Sequence, residues 1–287
     1  MYSRRISSKI FRKKITMSLV ETDWLQENIN NVKIIDCSWH MPQTKRNGLE
    51  EYKKNHILNS IFFDLDDNSK KDTDLPHMLV EAKSWEKIVS NMGITNDDRI
   101  IIYDNSDVVS SCRCWFNFIY FGHDPKLVHI LNGGFQKWVN ENKKITNDIT
   151  TIEISNYKSY EKKELVKDKG LIDRNIYEKN FQVIDARSKD RFEGKIAEPR
   201  KGLRSGSIKN SFCIPFTHCL NKNKTFKSTE ELKGVFKTYL KDINEKKIVF
   251  SCGSGVTACV LALAYSLIND KYLPCIYDGS WAEYGLI

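Results

Sequence analysis

The stretch of this 287-residue chain best suited to chemistry is Cys252-Gly253-Ser254-Gly255. It stands between an apolar run at 248–250, bulky and branched as a buried strand is, and the stretch 256–268, small or apolar almost throughout and long enough for a buried helix. A strand that turns directly into a helix leaves the N–H groups of the first helical turn without carbonyl partners. Those groups and the partial positive charge of the helix start converge on the turn. A sulfur anion is the form such donors stabilise, and Gly253 and Gly255 let the backbone curl around it. The N–H groups of residues 253–257 are the expected donors. A cysteine that merely fills a core would not need glycine on both sides of Ser254. The chemistry expected is that of an activated thiolate at Cys252.

The elements that must hold this turn are strands alternating with helices. Residues 32–35, 57–63, 99–103 and 127–131 read as strands. Helical stretches lie at 21–28, with Thr22 as its cap, at 84–92 before Gly93, at 111–121 before Gly122, and from 135 to about 143. From 144 to 169 the pattern fades into Lys, Thr, Asn, Glu and Ser, a linker with one short strand at 151–154. The second half then repeats the first. Val183-Ile184-Asp185 answers to Ile34-Ile35-Asp36, residues 207–211 to 56–60, 248–250 to 100–102, and Asp278-Gly279-Ser280 to Asn132-Gly133-Gly134. The offset is about 148 residues, the mark of a duplicated α/β unit. Ser228 with Glu231 forms a capping box for a helix running to about Leu240. Each unit is expected to be a mainly parallel sheet flanked by helices on both faces. Where Cys252 stands in the second unit, Asp104 stands in the first. A carboxylate is no sulfur nucleophile, so one domain is active and one inactive.

A net charge of +8 is concentrated at one end. Arg4, Arg5, Lys9, Arg12, Lys13 and Lys14 precede the first acidic residue, Glu21. The rest of the chain is close to neutral, which removes the argument for a nucleic-acid partner. The basic, serine-containing, acid-free segment 1–17 reads as a mitochondrial transit peptide, the alternative being a cytoplasmic protein with an extended arm. No apolar run is long enough to span a bilayer. Eight cysteines without a secretory signal point to a reducing compartment and free thiols. Cys112-Arg113-Cys114 is too tight for zinc, and neither a metal nor an organic cofactor is expected.

The loop Cys252-Gly253-Ser254-Gly255-Val256-Thr257-Ala258 resembles the active loop of 3-mercaptopyruvate sulfurtransferases, within the tandem rhodanese family. Asp23-Trp24-Leu25, residues 61–66, Asn132-Gly133-Gly134, Arg191-Phe192, Glu198-Pro199-Arg200 and residues 277–281 resemble the family's other landmarks, so the likeness covers nearly the whole chain after about Ser18. The resemblance implies two tandem rhodanese-like domains, an inactive one at 18–143 and an active one at 170–287 joined by the linker 144–169. It implies that Cys252 takes sulfur from a donor as a persulfide and hands it to a thiol, such as thioredoxin or a low-molecular thiol, or to cyanide. The donor implied is 3-mercaptopyruvate, because Gly253 and Ser254 replace the basic residues that thiosulfate enzymes carry after the cysteine. Gly253, Gly255, Val256 and Thr257 would cradle the bound sulfur.

On their residues alone, Arg191 and Arg200 read as surface arginines paired with Glu193 or Glu198, and His77 as an ordinary loop histidine. The resemblance implies instead that both arginines bind the donor carboxylate, for which a planar guanidinium is suited. It also implies that Ser254, His77 and Asp66 form a proton relay, placing the site between the domains. Arg187 is expected to hold structure by pairing with Asp185 or Glu193, and Arg113 to reach the cleft. The rival readings are a thiosulfate:cyanide sulfurtransferase and a non-catalytic binding protein. A cysteine phosphatase would need arginine six residues after the nucleophile, where Ala258 stands.

Overall fold

A computed structural model describes residues 18–240, 242 and 247–287. The basic segment 1–17, read above as a transit peptide, lies outside the described residues. The first domain runs β1 (Leu19–Val20), α1 (Thr22–Asn28), β2 (Lys33–Asp36), α2 (Gly48–Lys54), β3 (His56–Ile57), β4 (Ser60–Phe62), α3 (Ala82–Asn91), β5 (Ile100–Tyr103), α4 (Ser111–Tyr120), β6 (Val128–Leu131), α5 (Gly134–Asn140) and β7 (Ile145–Thr146). The second runs β8 (Val166–Lys167), α6 (Lys169–Glu178), β9 (Gln182–Asp185), α7 (Lys189–Phe192), β10 (Phe212–Cys213), α8 (Thr229–Lys237), β11 (Ile248–Ser251), α9 (Val256–Ser266), β12 (Ile276–Tyr277) and α10 (Ser280–Tyr284).

The two main sheets have one topology. The first is ordered β1-β6-β5-β2-β4 and the second β8-β12-β11-β9-β10, each wholly parallel. Parallel pairs need crossovers, and a parallel sheet must be covered on both faces. Alternate strand residues show that cover: Ile34 and Ile101 pack with Trp138 on one side of the first sheet, while Ile35, Ile100 and Ile102 face the other. Val183 and Val249 pack with Trp281 beneath the second sheet, while Ile184, Ile248 and Phe250 face away. The inward faces share one apolar interior that crosses the domain boundary. Its centre is the contact of α4 with α9. Both helices are buried around nearly their whole circumference: α9 is apolar on almost every side, while α4 also buries Ser111, Arg113 and Asn117.

Local expectations shift in four places. The linker is not free chain at its ends: β7 pairs antiparallel with β3, and β8 forms an edge of the second sheet. Two-residue strands are too short for a period of two to register. No strand forms at 151–154. The apolar run 57–63 is split into β3 and β4, with Asn59 between them at φ +65°. Thr22 is the first residue of α1 and not its cap, and its hydroxyl instead donates to Glu141 across the domain. The capping box of Ser228 and Glu231 forms at the start of α8.

Candidate active site

Cys252 follows β11, a central strand of the second sheet, at the carboxyl end where open α/β sheets place ligands. It is 2% exposed. Helix α9 opens four residues later, behind Gly255 at φ +77°. The N–H groups of Val256 and Thr257 are in its first turn, where the helix itself offers no acceptor. One part of the expected cradle is differently used. The N–H groups of Gly255 and of Cys252 both donate to Ser280 Oγ, at 3.2 and 3.1 Å, and Ser280 O–H donates to the Tyr277 carbonyl at 2.8 Å. Gly255 therefore shapes the loop through its backbone angle, and its N–H is committed to the clasp. Ser280 holds φ +50°, an unfavourable value for a side-chain-bearing residue that persists where surrounding contacts enforce it. Its hydroxyl ties both ends of the loop together. From local sequence Ser280 reads only as a turn residue, because its partners are 25 and 28 positions away.

The first domain shows a matching turn with a carboxyl group in place of the thiol. The Asp104 carboxylate accepts the Ser106 N–H at 2.7 Å and the Ser111 N–H, at the start of α4, at 3.0 Å. Phe135 N–H bonds the Asp104 carbonyl at 2.9 Å, as Trp281 N–H bonds the Cys252 carbonyl at 3.0 Å. The turn of the first domain thus already holds an acceptor of its own, a carboxyl whose pKa burial raises above the ordinary carboxylate value.

His77 and Asp66 come from the first-domain segment between β4 and α3 and meet Ser254 across the domain boundary. His77 Nδ1 lies 3.0 Å from Ser254 Oγ and Nε2 3.1 Å from Asp66 Oδ1. Burial pushes the His77 pKa below its ordinary value, against the pull of Asp66, so the ring is neutral at pH 7. The His77 hydrogen bond, helped by others, holds Asp66 below the usual carboxylate range. An ionised Asp66 can only accept, so Nε2 carries the proton, Nδ1 accepts, and the Ser254 O–H donates. Ser254 Oγ in turn accepts from Arg200 Nη2 at 3.4 Å. The direction of the chain Arg200, Ser254, His77, Asp66 is thereby set.

Arg191 and Arg200 flank the loop. A Cβ added to Gly253 would lie 3.2 Å from Arg191 Nη2 and 3.7 Å from Arg200 Nη1. Arg191 is ion-paired with Glu198, whose other oxygen takes Arg187 at 2.8 Å. Arg187 also pairs with Asp185 at 2.7 Å and lies over the Trp281 ring, 4.4 Å from its centroid. Its second acid is thus Glu198, while Glu193 pairs with Lys195. Among the described residues no carboxylate is ion-paired to Arg200, and burial lowers its pKa. Arg191 and Arg200 thus place two guanidiniums beside the loop, and only that of Arg191 is ion-paired among the described residues.

Arg113 reaches the cleft from α4 and is fully buried. It donates to the carbonyls of His77 at 2.6 Å and Gly255 at 3.3 Å and lies 2.7 Å from Asp278 Oδ1. Asp278 Oδ2 accepts the Leu79 N–H at 3.0 Å. His77 holds φ +62°, and the Arg113 contact to its carbonyl helps keep it there. A separate cavity of about 630 Å³, lined by Ile29, Asn59, Met92 and Glu153 among others, gathers no cysteine, histidine or arginine. Cys252, Ser254, His77, Asp66, Arg191 and Arg200 come together at the cleft instead.

The chain matches the rhodanese-like domain family at residues 21–141 and again at 169–286. It is 36% identical to thiosulfate/3-mercaptopyruvate sulfurtransferase 1, mitochondrial, of Arabidopsis thaliana, over 93% of this chain and 75% of that protein. It is 35% identical to 3-mercaptopyruvate sulfurtransferase of Mus musculus, over 93% of this chain and 91% of that one. Among solved structures it is similar to SseA from Escherichia coli, reported with the rhodanese fold of 3-mercaptopyruvate sulfotransferases. The TM-score is 0.81 at 30% identity, covering 92% of this chain and 98% of that one.

Proposed function

The chain belongs to the rhodanese family of sulfurtransferases, and from that membership we propose that it moves sulfur from 3-mercaptopyruvate to a thiol or to cyanide through a Cys252 persulfide, releasing pyruvate. The observation that carries the donor assignment is the Ser254 hydroxyl beside Cys252, held between His77 Nδ1 and Arg200 Nη2. A thiol-bearing oxo acid needs both a cation for its carboxylate and a group that handles the thiol proton, and this arrangement offers both.

In the first half-reaction the carboxylate lies against Arg200 and Arg191. The Cys252 thiolate attacks the donor sulfur and the S–C bond breaks, its electron pair passing to the pyruvate enolate. The thiol proton travels through Ser254 and His77 and ends on the enolate carbon. In the second, the acceptor thiolate attacks the outer sulfur of the persulfide, and Cys252 returns as thiolate. The N–H groups at the start of α9 stabilise the anionic sulfur in both states.

Thiosulfate is the second reading, favoured by the two guanidiniums beside the loop and by relatives that carry that name. A donor panel separates the two, because the proposal expects kcat/KM for 3-mercaptopyruvate to exceed that for thiosulfate, and the reverse order would overturn it. Intact mass after donor treatment should show a gain of about 32 Da, one sulfur atom on the nucleophile, lost in Cys252→Ser. No gain in the unaltered chain would leave a binding protein. The reading includes mitochondrial residence, supported by the basic segment 1–17 and the name of the Arabidopsis relative. Import of the full-length chain into isolated mitochondria tests it. Among the described residues no helix is long and apolar enough to cross a membrane.

A further inference from the structure

Resting on that reading of the relay, we infer that Trp39 is a positioning residue for it, fixing the Asp66 carboxylate that orients His77. The Asp66 side chain is 64% exposed. An exposed carboxylate held by one hydrogen bond pivots about that contact and is drawn toward water. Here each oxygen has its own donor: His77 Nε2 on Oδ1 at 3.1 Å, and the Trp39 indole Nε1–H on Oδ2 at 2.8 Å. Two donors on two oxygens set the plane of the carboxylate as well as its distance.

Trp39 is itself held from several sides. Its backbone N–H donates to Ser110 Oγ at 3.1 Å, and its carbonyl accepts from Ser106 Oγ. Its ring meets His77 edge to face, with centroids 4.7 Å apart at 82°. An indole donates only through Nε1. That makes Trp39 the link between the rigid loops after β2 and β5 and the exposed end of the relay. Without it Asp66 turns to solvent, His77 loses the acceptor that sets its tautomer, and the Ser254 O–H loses its direction. The proton path is then disordered in the chemical step, while the arginines that bind the donor are untouched.

Trp39→Phe keeps an aromatic edge against His77 and removes the donor. With 3-mercaptopyruvate, kcat should fall roughly tenfold, the size expected for losing one hydrogen bond to a charged group. KM should stay within about twofold, because donor binding is elsewhere, and the melting temperature should not change. In an Asp66→Asn background the same substitution should add no further loss, since the carboxylate it positions is already gone. Trp39→Met, measured in both backgrounds, supplies the same cycle without the ring and serves if Trp39→Phe does not fold. Unaltered kcat in Trp39→Phe, a loss confined to KM, or an undiminished loss in the Asp66→Asn background would each overturn the role of Trp39. No turnover of 3-mercaptopyruvate by the unaltered chain would instead refute the donor assignment.

Discussion

Arg191 and Arg200 both stand near Gly253 yet differ in what else they hold. Arg191 shares Glu198 with Arg187 and so belongs to a network that also packs the fold. Arg200 has Ser254 Oγ at 3.4 Å and carries the positive charge that burial makes costly until an anion arrives. Arg200→Ala should therefore raise KM for 3-mercaptopyruvate about 10- to 100-fold, the value of a charge-assisted pair, with melting temperature little changed. Steady-state kinetics with thermal melts checks it, and an unchanged KM would remove the carboxylate from Arg200. Position 253 follows the same logic. A basic side chain there would meet two guanidiniums already in place, whereas glycine leaves that space open.

At the scale of the element, the β11–α9 turn works because it combines a left-handed residue with a clasp from α10. A Cβ on Gly255, at φ +77°, would come within 2.5 Å of Arg113 Nη1 and 3.1 Å of the Asp278 carbonyl. Gly202 has nearly the same angle, φ +78°, with nothing within 4 Å. The pair separates backbone strain from displacement of the buried guanidinium. Gly255→Ala should destabilise by about 2–4 kcal/mol and suppress persulfide formation, while Gly202→Ala should cost about 1 kcal/mol and leave chemistry intact. Denaturant unfolding with intact mass tests this, and equal costs at the two glycines would show that Arg113 moves aside freely. The clasp of Ser280 on Cys252 and Gly255 adds that the turn is held by a later helix start, in the position that Gly134 fills in the first domain.

For the whole molecule, the first domain lines one side of the cleft and is also the source of its buried cation. Burial opposes the charge of Arg113, but Asp278 leads the groups that outweigh it, holding its pKa above the usual arginine value. That pair joins α4 of one domain to the loop before α10 of the other, beside the apolar contact of α4 with α9. Arg113→Met should cost about 3–5 kcal/mol, because it strands the Asp278 carboxylate in the interior. Adding Asp278→Asn should recover part of that loss, since the amide oxygen still accepts the Leu79 N–H without a buried charge. Equal stability of the single and double variants by urea unfolding would show that the charge of Asp278 is not what Arg113 balances.

Patterns confined to a few consecutive residues were legible in the chain itself. The strand-to-helix turn, the duplication and the replacement of Cys252 by Asp104 rest on such local order, and parallel sheets follow from alternating strands and helices. What the chain could not disclose is where distant segments meet. The 177 positions between His77 and Ser254, and the 199 between Leu79 and Asp278, are closed only by docking two domains through α4 and α9. Ser280, Arg113 and Trp39 carry ordinary sequence signals, a turn serine, a helix arginine and an aromatic before a loop. Their importance comes from hydrogen-bond partners 25 to 142 positions away. Sequence determined what could react. The tertiary structure decided which polar groups are buried beside it, because only packing removes the water that would otherwise satisfy them.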